Sequence, residues 1–173
     1  MSAPDRKKAG FPRKYRAVIC GLAFILICGL IWIFGGHKNP FPIISGLEKA
    51  EVIRVIDGDT LQVRLVSGEE ATVRLIGVDA PESVHPDPAK NTPEGKAAAS
   101  FTENLCSGRT VYLEYDAEKE DAYGRRLAYV YLEEGRMLNL LLVEHFYARV
   151  MTVEPNTRYA SYFAAAERKA GRQ

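Results

Sequence analysis

The sequence predicts an α+β fold: a five-stranded β-barrel with about three helices packed on it, preceded by one transmembrane helix. Three observations carry this reading. Residues 48–78 form three alternating, β-branched runs separated by Asp57-Gly58-Asp59 and Ser67-Gly68-Glu69, which makes a meander. Thr92-Pro93-Glu94 offers a capping hydroxyl, a proline at the first helical position and an acid in the first turn, so a helix follows the meander. Residues 17–35 contain no charge at all.

From the amino terminus, residues 1–46 hold seven Lys and Arg against the single acid Asp5. Within them the apolar run 17–35, nineteen residues long, would span about 28 Å as a helix, close to a bilayer's hydrocarbon core. The basic residues before it predict an amino terminus inside and all that follows outside. Trp32 falls near the outer end, where an indole suits the interface. A cleaved signal peptide is the rival, but Gly35-Gly36-His37-Lys38 is a poor cleavage site. The organisation expected is therefore a basic cytoplasmic tail over 1–16, a signal-anchor over 17–35, a linker over 36–46 and a folded domain over 47–170. The setting would be a bacterial-type cytoplasmic membrane crossed once, with the domain periplasmic or extracellular, or secreted if the anchor is cut.

The domain's strands are expected over 48–56, 60–66, 71–78, 110–115 and 127–132. Helices are expected over 92–107, 137–144 and 159–170, with a loop over 83–91 and a short extended piece over 149–153. Helices on a five-stranded barrel give an OB-fold-like packing, a form that often binds oligonucleotides. Past residue 46 there are 16 basic and 21 acidic residues, a net of −5. That counts against tight nonspecific nucleic-acid binding by bulk charge, so any phosphate must be held by individually placed arginines. Cys106 is the only cysteine outside the apolar run, which rules out a disulfide within the domain, and the three cysteines lack zinc-site spacing.

The chemistry concentrates in two stretches, Val55-Ile56-Asp57-Gly58-Asp59-Thr60 and Arg74-Leu75-Ile76-Gly77-Val78-Asp79-Ala80-Pro81-Glu82. A strand has little reason to end in acids unless something cationic sits there. Asp59, Asp79 and Glu82 can supply hard oxygen ligands or a general base, and Arg74 a planar donor fork for phosphate. Asp121-Ala122-Tyr123-Gly124-Arg125 adds a second arginine in a turn. Carboxylates for a divalent cation plus two arginines are what phosphodiester hydrolysis requires. Each residue also has a plainer reading. Asp57 reads as a turn former, Arg74 as a surface partner of Glu51 or Glu69, Arg126 as a solvated charge, and Tyr123 as packing. His85 and His145 have no partners at catalytic spacing.

Asp57-Gly58-Asp59-Thr60, Arg74-Leu75-x-x-Val78-Asp79-x-Pro81-Glu82 and Asp121-x-Tyr123-Gly124-Arg125-x-Leu127-Ala128-Tyr129, in that order, resemble the three signature blocks of the staphylococcal nuclease (thermonuclease) family. The resemblance covers about residues 48–169. It implies a barrel of the kind expected above and a calcium-dependent nuclease acting on DNA and RNA, with 3′-phosphate products. By position it implies Asp59, Asp79 and the backbone carbonyl of Ala80 as Ca²⁺ ligands. Glu82 would be general base, Arg74 and Arg125 would stabilise the pentacoordinate transition state, and Tyr123 would contact a substrate phosphate. The partners implied are the nucleic-acid substrate and, through 17–35, the membrane.

The chain departs from the family pattern at three places. Ala80 replaces a threonine beside the calcium, Ala122 replaces a lysine that contacts phosphate, and 150–154 holds no aromatic where relatives stack bases. With the −5 charge, these changes predict weaker substrate binding than in a basic relative. The alternative function is a noncatalytic nucleic-acid- or protein-binding module on the same fold. Retention of every acid and arginine argues against it.

Overall fold

Alternation of Val, Ile and Leu with polar residues gives strands a single apolar face, and here those faces close on one another. The computed structural model describes residues 44–84 and 91–171. The tail, the expected membrane span and the linker up to residue 43 lie outside the described residues, as does His85. Among the described residues no helix is long and apolar enough to cross a membrane.

Five strands form a closed barrel: β1 (Glu48–Asp57), β2 (Thr60–Leu65), β3 (Glu70–Leu75), β5 (Thr110–Glu114) and β6 (Arg126–Leu132). Their spatial order is β1-β2-β3-β6-β5, with β5 returning to β1. The β3–β6 pairing is parallel and the others antiparallel. Val52, Leu61, Val63, Val73, Val111 and Val130 fill the interior and are essentially solvent-free. Three helices pack outside: α1 (Pro93–Cys106), α2 (Leu138–Glu144) and α3 (Ala160–Ala170). The hydroxyl of Thr92 accepts the Gly95 N–H at 3.0 Å, so the helix starts at the cap read from sequence.

One expected strand is broken in two. The run over 71–78 leaves the barrel after Leu75, because Gly77 adopts φ +81 and turns the chain. A Cβ there would meet Phe163 Cδ2 at 2.6 Å, so the site admits glycine alone on packing as well. Beyond the turn, β4 (Val78–Asp79) pairs with β7 (Arg149–Val150) in a separate two-stranded sheet. The turn therefore sends Arg74 and Asp79, five residues apart, from different sheets toward the same rim.

Strand β6 is buried on both faces. Ala128 and Val130 point into the barrel, while Tyr129 and Tyr131 are covered from outside. Tyr129 meets Tyr159 edge-on at 4.7 Å, and Tyr131 donates to Glu114 at 2.7 Å. Tyr159 donates to the same carboxylate at 3.0 Å and Arg158 pairs with it, so the buried Glu114 is satisfied. Burial and the Glu114 carboxylate push the Tyr131 phenol well above its ordinary range.

Asn139, fully buried, pins the rim from α2. Its carbonyl accepts the Val130 N–H at 2.9 Å, and its amide donates to the Ile76 carbonyl at 2.8 Å and the Ala128 carbonyl at 3.3 Å. These bonds hold the β3–β4 junction against β6.

Candidate active site

The site starts at the β1–β2 turn. Asp57 accepts the Gly58 N–H at 2.8 Å and the Ser83 hydroxyl at 2.8 Å. It is a buried clamp between this turn and the segment carrying Glu82, which extends the turn-forming reading. Asp59, two residues on, is 5 % exposed. Its oxygens accept the Thr60 hydroxyl at 3.0 Å and the Ala80 N–H at 2.7 Å, and Oδ2 is ion-paired to Arg74 Nη1. Burial raises the Asp59 pKa above its ordinary value, and Arg74, the Ala80 N–H and Thr60 only partly oppose it.

Arg74 reaches Asp59 because Thr60 and Arg74 are cross-strand partners between β2 and β3. Its other nitrogen, Nη2, donates to Asp79 Oδ1 at 3.2 Å. The guanidinium thus bridges two carboxylates rather than pairing with Glu51 or Glu69. Those two acids meet Arg64 and Arg126 instead.

Glu82 stands at the exposed edge of a cleft of about 420 Å³ whose walls include Asp59, Thr60, Arg74, Glu82 and Arg125. Its backbone is anchored where its carbonyl accepts the Thr92 N–H at 2.9 Å. Gly95 lies directly beneath: a Cβ there would come 2.7 Å from the Pro81 carbonyl oxygen and closer still to that of Glu82. Replacement of Gly95 by alanine is therefore expected to destabilise the protein by about 1–3 kcal/mol and to displace Glu82. Thermal melts would check the first; a loss under ~0.5 kcal/mol would show that the 81–84 segment yields freely.

Arg125 is positioned by Asp121, whose role the sequence reading did not single out. One Asp121 oxygen accepts the backbone N–H groups of Tyr123 and Arg125, both at 2.9 Å, and the other accepts Arg125 Nε at 2.7 Å. Those hydrogen bonds outweigh burial and hold the Asp121 carboxyl below its ordinary pKa. Tyr123 itself is 85 % exposed, with the Arg125 guanidinium 5.5 Å above its ring. Arg74 and Arg125 also wall a second cavity of about 200 Å³, which Met151 and Val153 line as well.

Arg149 was also missed. It donates through Nε and Nη2 to Asp79 Oδ2, at 3.0 and 2.8 Å. A lone arginine in a short extended run carries no recognisable signal until β7 pairs with β4. His145 packs against the Phe101 ring at 5.3 Å. The buried Cys106 thiol, pushed up to about 12 by burial, donates to the Thr102 carbonyl. Neither has a part in the cleft.

Among the described residues no three His, Cys, Asp or Glu side chains group tightly enough to form a metal cluster by themselves. The donors still suit a hard cation. Asp59 is a carboxylate buried against its own charge, and both it and Asp79 converge on a cationic group, now Arg74. The Ala80 N–H donates to Asp59, which ties the backbone of Ala80 to that carboxylate.

The family model described as "Staphylococcal nuclease homologue" matches residues 72–173. The chain is 40% identical over 149 residues to a thermonuclease of Staphylococcus intermedius, covering 84% of this chain and 87% of that protein. It is 42% identical over 142 residues to a thermonuclease of Staphylococcus hyicus, covering 79% and 82%. It is 39% identical over 119 residues to endonuclease YncB of Bacillus subtilis (strain 168), covering 68% of this chain and 55% of that one. A match of this extent, over a barrel whose rim gathers Asp59, Arg74, Asp79, Glu82 and Arg125, means that the chain belongs to the staphylococcal nuclease homologue family.

Proposed function

We propose that this protein is a calcium-dependent nuclease hydrolysing phosphodiester bonds in DNA, RNA or both. The observation that carries the reading is the convergence of Asp59, Arg74, Glu82 and Arg125 on one open cleft at the barrel rim. The names of the thermonuclease and endonuclease relatives support it.

In this reading the phosphodiester enters the cleft with its non-bridging oxygens on Arg74 and Arg125. Two guanidinium groups give the planar, bidentate donors that an anion growing toward a pentacoordinate state needs. Asp121 holds Arg125 ready by two hydrogen bonds, and the turn by a third to the Tyr123 N–H, so little ordering remains when substrate arrives. Glu82 takes a proton from water as its oxygen bonds to phosphorus; the P–O5′ bond breaks, the 5′-oxygen takes a proton from solvent and leaves as the 5′-hydroxyl, and the phosphate stays on the 3′ end. Asp59, Asp79 and the Ala80 carbonyl would hold Ca²⁺, which when bound neutralises phosphate charge. Tyr123 adds a substrate contact from the outer lip. The uncharged run 17–35, read from sequence as a membrane anchor, would set residue 36 onward outside a cytoplasmic membrane with the tail at 1–16 inside, or release the domain by secretion if it is cleaved.

The test is cleavage of heat-denatured DNA and of RNA by the full-length chain, in Ca²⁺ and in chelator, beside Glu82→Gln. Calcium-dependent cleavage that Glu82→Gln lowers by about 10²–10⁴-fold is expected. Oligonucleotide binding with no turnover in any lane would replace the enzyme by a binding module.

A further inference from the structure

Arg149 is fixed by backbone pairing rather than by chance surface contact. Strands β4 and β7 are two residues each, and Asp79 lies directly across from Arg149. The Met151 N–H donates to the Gly77 carbonyl at 3.0 Å, and the Val150 N–H to Glu167 of α3 at 2.9 Å. Arg149 is thus tied on both sides, although its side chain is 79% exposed.

Both of its donors fall on the same oxygen, Asp79 Oδ2, while Arg74 touches Oδ1. A carboxylate oxygen has two lone-pair sites, so Oδ2 is fully used and Oδ1 keeps one. Oδ1 is the oxygen on the side of Arg74, which also pairs with Asp59, and the proposed cation would lie on that side. We infer that Arg149 is a positioning residue that restricts Asp79 to one metal-facing oxygen, and so holds calcium affinity down and narrows the preference for Ca²⁺ over Mg²⁺. The inference rests on the calcium reading above. Ca²⁺ accepts a carboxylate through one oxygen or two, whereas Mg²⁺ demands near-octahedral, one-oxygen ligation. Freeing Oδ2 therefore helps calcium alone. Relief of positive charge, by contrast, would favour both ions equally.

The experiment is calorimetric titration of the metal-free full-length chain with Ca²⁺ and, separately, Mg²⁺, in the absence of nucleic acid. Arg149→Met and Arg149→Lys are compared with wild type, and thermal melts confirm folding. Arg149→Met is expected to bind Ca²⁺ about threefold to tenfold more tightly, with Mg²⁺ affinity changed less than about twofold. Arg149→Lys keeps the charge but cannot place two donors on one oxygen, so it should show most of the same calcium gain. Equal tightening for both ions, unchanged calcium affinity or weaker calcium binding would each overturn the inference while leaving the nuclease reading intact. Calcium uptake by no form of the protein would overturn the calcium reading together with it.

Discussion

Arg74→Met is expected to lower turnover by about 10³-fold or more and, in the metal-free protein, to destabilise the fold. On the proposed reading the catalytic loss follows from removing a guanidinium in the cleft wall that would neutralise the phosphate, the kind of interaction whose deletion costs most in such sites. The stability loss has a separate cause. Arg74 is the cation beside Asp59 and Asp79, and without it Asp59 keeps only the Ala80 N–H and the Thr60 hydroxyl. Removing one partner of a buried pair costs about 3 kcal/mol or more while the other stays charged.

The pH dependence separates these two effects. Burial already raises the Asp59 pKa above its unfolded value, so its favourable contribution is present when protonated and lost as pH rises through the folded pKa. Without Arg74 that pKa rises further. The destabilisation should therefore be largest at high pH and shrink on acidification, and added Ca²⁺ should restore part of it at high pH. Urea unfolding at several pH values, beside initial rates of cleavage, would check this. A variant equally stable at all pH values would mean that Asp59 and Arg74 are not energetically coupled.

Asn139→Leu is expected to destabilise the protein by about 3–5 kcal/mol although it conserves volume. Leucine is close in volume but leaves the Val130 N–H and the Ile76 carbonyl buried without partners, at about 1–3 kcal/mol each. For a domain of this size the melting temperature should fall by about 10–20 °C. Ile76 lies between Arg74 and Asp79, so a partly folded population would also lose the site's geometry. A fall of under ~3 °C would show that water or a relaxed backbone replaces the amide.

Much of the fold is legible because local rules suffice for it. Strand alternation over 48–66, the Asp57-Gly58-Asp59 turn and the Thr92 cap each depend on residues within a few positions of one another, and each is seen where expected. The strand expected over 71–78 failed at its end for a reason local rules miss. Residues 76–78 read as one apolar run, but Phe163 fills the space a side chain at 77 would need. The site divides in the same way. Asp59, Arg74 and Glu82 stood out as charged residues at the ends of apolar runs and Arg125 as an arginine in a turn, and the resemblance to the family's signature blocks gave them their expected roles. Asp121 and Arg149 were not, since an acid in a charged loop and an arginine in a short extended run conflict with nothing.

The sequence by itself determined the helix and strand types, the turn chemistry and the set of charged groups available for phosphate chemistry. These are properties of side chains and near neighbours. Only the tertiary structure decided which charges meet. Antiparallel pairing of β2 with β3 and the departure of β4 to join β7 bring Arg74 between Asp59 and Asp79, and set Arg149 on the far oxygen of Asp79. Such ion pairs join residues up to 70 positions apart, and their geometry comes from strand register and barrel closure, which no local pattern encodes.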